Sequence, residues 1–173
     1  MKNSIETERL LLRPLLAEDA EGMFALDSDP EVHRFLGNQP IGSIEDAVKV
    51  IAFVQEQQYE SLGIGRWAVL EKSTSEFIGW SGLKRITEPF LGMPFYYDLG
   101  YRFRTQFWGK GYATESAKAW VNEAIHKLQL PELFASTHLE NHASAGVLLK
   151  CGFEEQAPVE HDADPYRWFH LKA

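Results

Sequence analysis

Hydrophobic and polar positions change period several times along the chain, and each change marks an element. Residues 8–13, ERLLLR, are short, apolar and roughly alternating, and Pro14 closes them, which predicts a first strand ending at the proline. From Glu18 to Asp27, Ala20, Met23, Phe24 and Asp27 recur at helical spacing, with acidic residues in the first turn where they favour the positive end of the helix dipole. A short helix is predicted over 30–36. Ser43 is an N-cap residue for a longer helix that carries Ala47, Val50, Ile51 and Val54 on one face and fades near Ser61-Leu62-Gly63.

Three strand-like runs follow, Arg66–Lys72, Phe77–Ile86 and Phe95–Phe103, and they read as an antiparallel meander. The most regular periodicity comes next: Ala113, Ala117, Trp120, Val121, Ala124 and Leu128 recur at steps of three and four, a helix that Pro131 terminates. Leu133–Leu139 is strand-like, Asn141 can cap a helix through Leu149, Gly152 ends that helix, and Phe153–Val159 and Tyr166–Leu171 are the last strands. The order predicts a mixed sheet covered by helices in an α/β or α+β fold, one domain over residues 1–173, with no repeat or linker.

Composition narrows the function. With 45% hydrophobic and 24% charged residues in a chain of 173, a real core is expected. A net charge of -8 and a pI near 5.2 speak against nucleic acid or an anionic membrane as direct partners. Cys151 stands alone, no Cys/His spacing suits zinc, and neither a signal peptide nor a membrane span is legible, so a cytoplasmic protein without metal is the expectation.

The stretch 106–113, QFWGKGYA, carries candidate chemistry. A helix N-terminus presents unpaired N–H groups and partial positive charge, Gly109 and Gly111 allow close approach and unusual dihedrals, and Lys110 adds a cation, so the turn suits a phosphate. It is neither a P-loop nor the dinucleotide fingerprint, and the same residues also fit a plain strand-to-helix turn.

Its context decides. DLGYRF over 98–103, then Q-x-x-G-x-G over 106–111, then helix, strand, N-x-x-S and Gly-Phe resemble, in that order, the GNAT superfamily of acyl-CoA-dependent N-acyltransferases. With ETERLLLRPL at the start, the chain is most similar to the branch that acetylates N-termini of ribosomal proteins and related amines.

The resemblance implies a mostly antiparallel sheet with a splayed central strand pair, and acetyl-CoA as co-substrate. It places the pyrophosphate on the amides of Trp108 to Ala113, following Gln106, which takes in Gly109, Lys110, Gly111 and Tyr112. Pantetheine would pair with the main chain of Tyr101 and Phe103 on a strand that usually bulges there. Relatives carry arginine at the position of Trp108, so Lys110 is expected to compensate. Asn141 matches a cofactor contact and is also an N-cap, and Ser144 matches a serine near the thiol. A tyrosine that relatives use to protonate the thiolate is Leu148 here, which leaves Ser144 as the substitute.

The attacking amine must be neutral, although the reference pKa is about 10.4 for a lysine-type amine and about 8 for an α-amine. Asp98 and His138 are the candidate bases, and either can be a structural residue instead. No covalent intermediate is needed, so Cys151 reads as packing. The acidic segment Glu154–Asp164 is expected to face a cationic amine or peptide terminus, and Trp67, Trp80, Phe95, Tyr96 and Tyr97 are mostly core. The expected activity is acetyl transfer to a primary amine, either a small molecule or a protein N-terminus, with a homodimer left open. A CoA-binding regulatory module without chemistry is the alternative.

Overall fold

A computed structural model describes residues 4–60, 63–88, 92–157 and 166–173. Eight strands form one sheet: β1 (Ile5–Glu6), β2 (Leu10–Pro14), β3 (Arg66–Glu71), β4 (Phe77–Ile86), β5 (Tyr96–Phe103), β6 (Glu132–His138), β7 (Glu154–Glu155) and β8 (Tyr166–Lys172). Their order is β1-β2-β3-β4-β5-β6-β8-β7, antiparallel throughout except for β5 against β6. The helices are α1 (Ala20–Asp27), α2 (Pro30–His33), α3 (Ile44–Val54), α4 (Tyr112–His126) and α5 (His142–Lys150).

Alternation along the strands divides the core between two faces. Leu99 and Phe103 of β5 pack with Trp120 of α4 and Leu148 of α5. Ala68 of β3 and Trp80 of β4 face the other way, against Met23 and Leu26 of α1 and Ile51 of α3. Ser43 caps α3 as its sequence predicts, its Oγ accepting from the Asp46 amide at 3.2 Å. Beyond Val54 the helix widens into a π-helical turn over Gln55–Glu60.

The predicted meander β3-β4-β5 is present, and so are the crossover helix α4 and the parallel strand β6. Two elements differ. The strand β1 is only two residues long, too short to carry a period. Pro14 is the last residue of β2, as expected, and it still pairs with Trp67: the Lys72 amide donates to the Arg9 carbonyl, so alternation turns the Pro14 nitrogen away from β3, where no ladder bond is lost. The expected strand over 153–159 is confined to Glu154–Glu155, and its residues 158 and 159 lie outside the described residues.

Candidate active site

The site forms where the two parallel strands part. Among the described residues β5 meets β6 only at Asp98 and Phe134, while β5 keeps unbroken register with β4 through eight pairs from Gly79–Phe103 to Ile86–Tyr96. The divergence therefore needs no bulge in β5, contrary to the expectation for this strand. The register shift in the meander lies instead between β3 and β4, at Val69/Leu70. The Arg104 amide donates to the Ile78 carbonyl at 3.0 Å, and the antiparallel alternation then points the main-chain groups of Leu99, Tyr101 and Phe103 away from β4 and into the gap. One of them is already used: the indole Nε1 of Trp108 donates to the Phe103 carbonyl at 2.7 Å. Trp108 thus closes the end of the strand, and its ring is half-exposed.

The turn that follows is held open by backbone geometry. Gly109 and Gly111 adopt φ of 73° and 84°, the left-handed region, and a Cβ built on Gly109 would meet nothing within 4 Å. The first hydrogen bond of α4 runs from the Glu115 amide to the Gly111 carbonyl at 3.0 Å, so the amides of Tyr112, Ala113 and Thr114 begin the helix without acceptors inside it. Arg9, which sequence reasoning missed, braces this turn: it donates to the Lys110 carbonyl at 2.9 Å, pairs with Glu115 at 2.7 Å, and lies 4.5 Å over the Tyr112 ring. Open space at the glycines, unpaired amides and a strand edge facing the gap fit an elongated ligand that ends in phosphates.

On the α4/α5 face, Asn141 Oδ1 accepts from the Ser144 amide at 3.1 Å and caps α5. Replacing Asn141 by alanine is expected to cost about 1 kcal/mol of stability, read from the denaturation midpoint, and aspartate should restore it. The Tyr101 hydroxyl lies 2.9 Å from the Ser144 carbonyl and 3.1 Å from its Oγ. With the phenol hydrogen on the carbonyl, the Ser144 hydroxyl donates to the phenol oxygen. Burial pushes the Tyr101 phenol well above its ordinary pKa, so it stays neutral. Leu148 is buried in the core. Burial also pushes the Cys151 thiol up to about 11, which makes it a poor nucleophile.

On the opposite face lies a charged cluster that no motif announced. Cross-strand rows set it out: Arg66, Gly82 and Gly100 are neighbours across β3, β4 and β5, and so are Ala68, Trp80 and Arg102. Two guanidinium groups flank one indole, Arg66 at 4.5 Å and Arg102 at 5.2 Å from the Trp80 ring. Arg102 is committed to the buried Asp27 at 2.6 Å. Asp98 sits opposite Lys84 and forms no ion pair or hydrogen bond among the described residues. Burial raises its carboxyl pKa, with Arg66 and then Lys84 opposing the rise. A charged residue at a core-facing strand position was the only trace of Arg66 in the sequence.

One cleft of about 650 Å³ is lined from both faces, by Tyr101 and Ser144 on one and by Arg66, Trp80 and Asp98 on the other. The gap between β5 and β6 joins them. His138 also lines it, packed 5.2 Å from the Phe35 ring, and its Nδ1 accepts from the Glu140 amide at 3.2 Å, which places the neutral ring's proton on Nε2. Gln106 and Lys110 are outside the lining: Gln106 reaches Glu76 at 3.4 Å and the Lys110 ammonium lies 5.0 Å over the Phe107 ring. Neither Glu154 nor Glu155 lines the cleft, Glu155 sits 3.7 Å from Arg167, and residues 158–164 of the acidic segment are outside the described residues. Of the five aromatics expected mostly in the core, only Trp80 is buried, and it also forms a wall of the cleft; Trp67 is half-buried, edge-on to the buried Trp120 at 5.0 Å, Tyr96 and Tyr97 are half-buried, and Phe95 is exposed. Among the described residues no group of three or more acidic, histidine or cysteine side chains is placed to hold a metal, and no helix is long and apolar enough to cross a membrane.

Comparison with known proteins agrees with this geometry. Residues 9–154 match the family described as the acetyltransferase (GNAT) domain. An uncharacterized N-acetyltransferase of Bacillus subtilis, YoaA, is 32% identical over 88% of this chain and 83% of its own. The FsC-acetyl coenzyme A-N(2)-transacetylase of Aspergillus fumigatus is 32% identical over 86% of this chain and 64% of its own. The solved structure of RimL, a ribosomal L7/L12 alpha-N-protein acetyltransferase in complex with coenzyme A, superposes with a TM-score of 0.76 at 16% identity, over 98% of this chain and 97% of that one. The chain belongs to the GNAT acetyltransferase family and is an acetyl-CoA-dependent N-acetyltransferase.

Proposed function

We propose that this protein, as one catalytic domain over residues 1–173, transfers acetyl directly to a primary amine of a small molecule or a protein N-terminus. The observation that carries this reading is the single cleft passing between β5 and β6, which lets donor and acceptor approach from opposite faces of the sheet. Acetyl-CoA supplies a thioester activated for acyl transfer. Tyr112, Ala113 and Thr114 hold its phosphates through their amides, Tyr101 holds its arm through its main chain, and the Asn141 side chain borders that arm. An amide of β5 turned into the gap faces the carbonyl oxygen where negative charge builds.

Asp98 takes the proton of the attacking amine, for its carboxylate is unpaired among the described residues, lines the cleft and sits at the point of divergence. His138 is the weaker base, because its Nδ1 lone pair is already engaged. As the carbon–nitrogen bond forms and the carbon–sulfur bond breaks, the Ser144 hydroxyl turns its hydrogen from the Tyr101 phenol oxygen to the departing sulfur. The regulatory reading draws on one observation, the buried Leu148 at the position where the family resemblance implies a tyrosine. Titration calorimetry with CoA, followed by thiol release across an amine panel, separates the two. Turnover with any amine supports catalysis, and tight CoA binding without turnover supports the regulatory module.

A further inference from the structure

The acceptor half of the cleft contains a cation held in place without an acid of its own. Arg66 begins β3, and both of its main-chain groups are pinned from the π-helical turn: its amide donates to the Gln58 side chain at 3.0 Å, and its carbonyl accepts from the Tyr59 hydroxyl. Gln58 is itself buried, and Gly65 permits the approach, since a Cβ there would lie 2.6 Å from the Tyr59 ring. The side chain then runs along the row of Gly82 and Gly100. A Cβ on Gly100 would lie 3.6 Å from the Arg66 Nε and Nη2 and 3.3 Å from the Trp80 ring, so the glycine leaves the space that the guanidinium occupies.

Arg66 Nε is buried with no hydrogen-bond partner, and the side chain forms no ion pair among the described residues. Its neighbours do not satisfy it. Of the two acids that act on it, Asp27 is taken by Arg102 at 2.6 Å and Asp98 acts only from beyond ion-pair distance. A guanidinium with a buried, unpaired Nε that faces an open cleft points to a planar anion as its missing partner.

Building on the acetyl-transfer reading, we propose that Arg66 binds a carboxylate carried by the acceptor itself, so that the acceptor is a free amino acid or close analogue with its amine near its carboxylate. Asp98 and Gly100 are two residues apart on the same strand face, roughly 7 Å along β5. A molecule between them can offer its amine to Asp98 while its carboxylate meets Arg66 over Gly100. A peptide N-terminus lacks that α-carboxylate, and a polyamine would place a second cation beside the guanidinium.

The test compares alanine, serine, methionine, phenylalanine and aspartate with their carboxamides and with short peptides, by thiol release from acetyl-CoA. Rates are taken per neutral amine over a pH series, because carboxamides have the more acidic ammonium. The acid is expected to exceed its amide in kcat/KM by about tenfold to a hundredfold, the range of a charge-assisted hydrogen-bond pair. In Arg66→Gln that ratio should fall toward one, and in Arg66→Lys it should be intermediate, since charge remains and the planar fork is lost. Equal use of acid and amide by the native enzyme overturns the inference without needing either variant to fold. A preference that survives Arg66→Gln removes Arg66 from recognition. Release of thiol with peptides or amides alone leaves acetyl transfer standing and this assignment overturned, whereas no release with any amine, despite CoA binding, overturns the transfer reading itself.

Discussion

Asp98→Asn is expected to lower kcat by about two orders of magnitude or more, with acetyl-CoA affinity little changed. General-base catalysis contributes roughly 10²- to 10⁴-fold, and asparagine keeps the shape while removing the proton acceptor. In the native enzyme kcat/KM should rise with pH through a value above the ordinary aspartate range, because burial raises this carboxyl. That rise should be missing from the variant, leaving only the titration of the amine. The stability effect has the opposite sense. A carboxyl whose folded pKa is raised stabilises the fold while protonated and loses that contribution as pH climbs through the raised value. Asparagine removes the burden of a buried charge at neutral pH, so the thermal midpoint there should hold or rise. A large fall in kcat with the fold intact identifies a base, and an unchanged kcat would transfer the role elsewhere or to an amine that arrives neutral.

Gly111→Trp is expected to weaken CoA binding by about a hundredfold or more, measured by calorimetry, while far-ultraviolet dichroism stays native. At φ of 84° a side chain costs about 1–2 kcal/mol of backbone strain, and relaxing that strain rotates the amides at the start of α4. A Cβ at this position would also stand 3.4 Å from the Arg9 guanidinium, the group that fixes the turn from outside. The indole itself would fill the space left for phosphates. The core packing of α4 through Ala117, Trp120 and Ala124 lies away from the turn, so the fold should persist. Unchanged affinity would mean that the glycines only shape a connection.

Much of this was legible in the chain before folding. Local rules are enough for a helix whose apolar positions recur at three and four, for caps such as Ser43 and Asn141, and for a glycine turn ahead of α4, since each depends on residues a few positions apart. The ordered motifs from Asp98 to Phe153 carried the family, and with it the cofactor. The base was only narrowed to Asp98 and His138, because which carboxylate stays unpaired and which imidazole nitrogen is engaged depend on neighbours distant in sequence. Arg9 over the turn, Tyr101 against Ser144, and Arg66 beside Trp80 were invisible for the same reason: each contact joins residues on different elements, 101 and 43 positions apart in the first two. What the sequence by itself determined is therefore the elements, their order and the family. Only the tertiary structure decided where the strands part and which charges face each other across the gap, because register and divergence of strands arise from packing among the whole set of elements and not from any one of them.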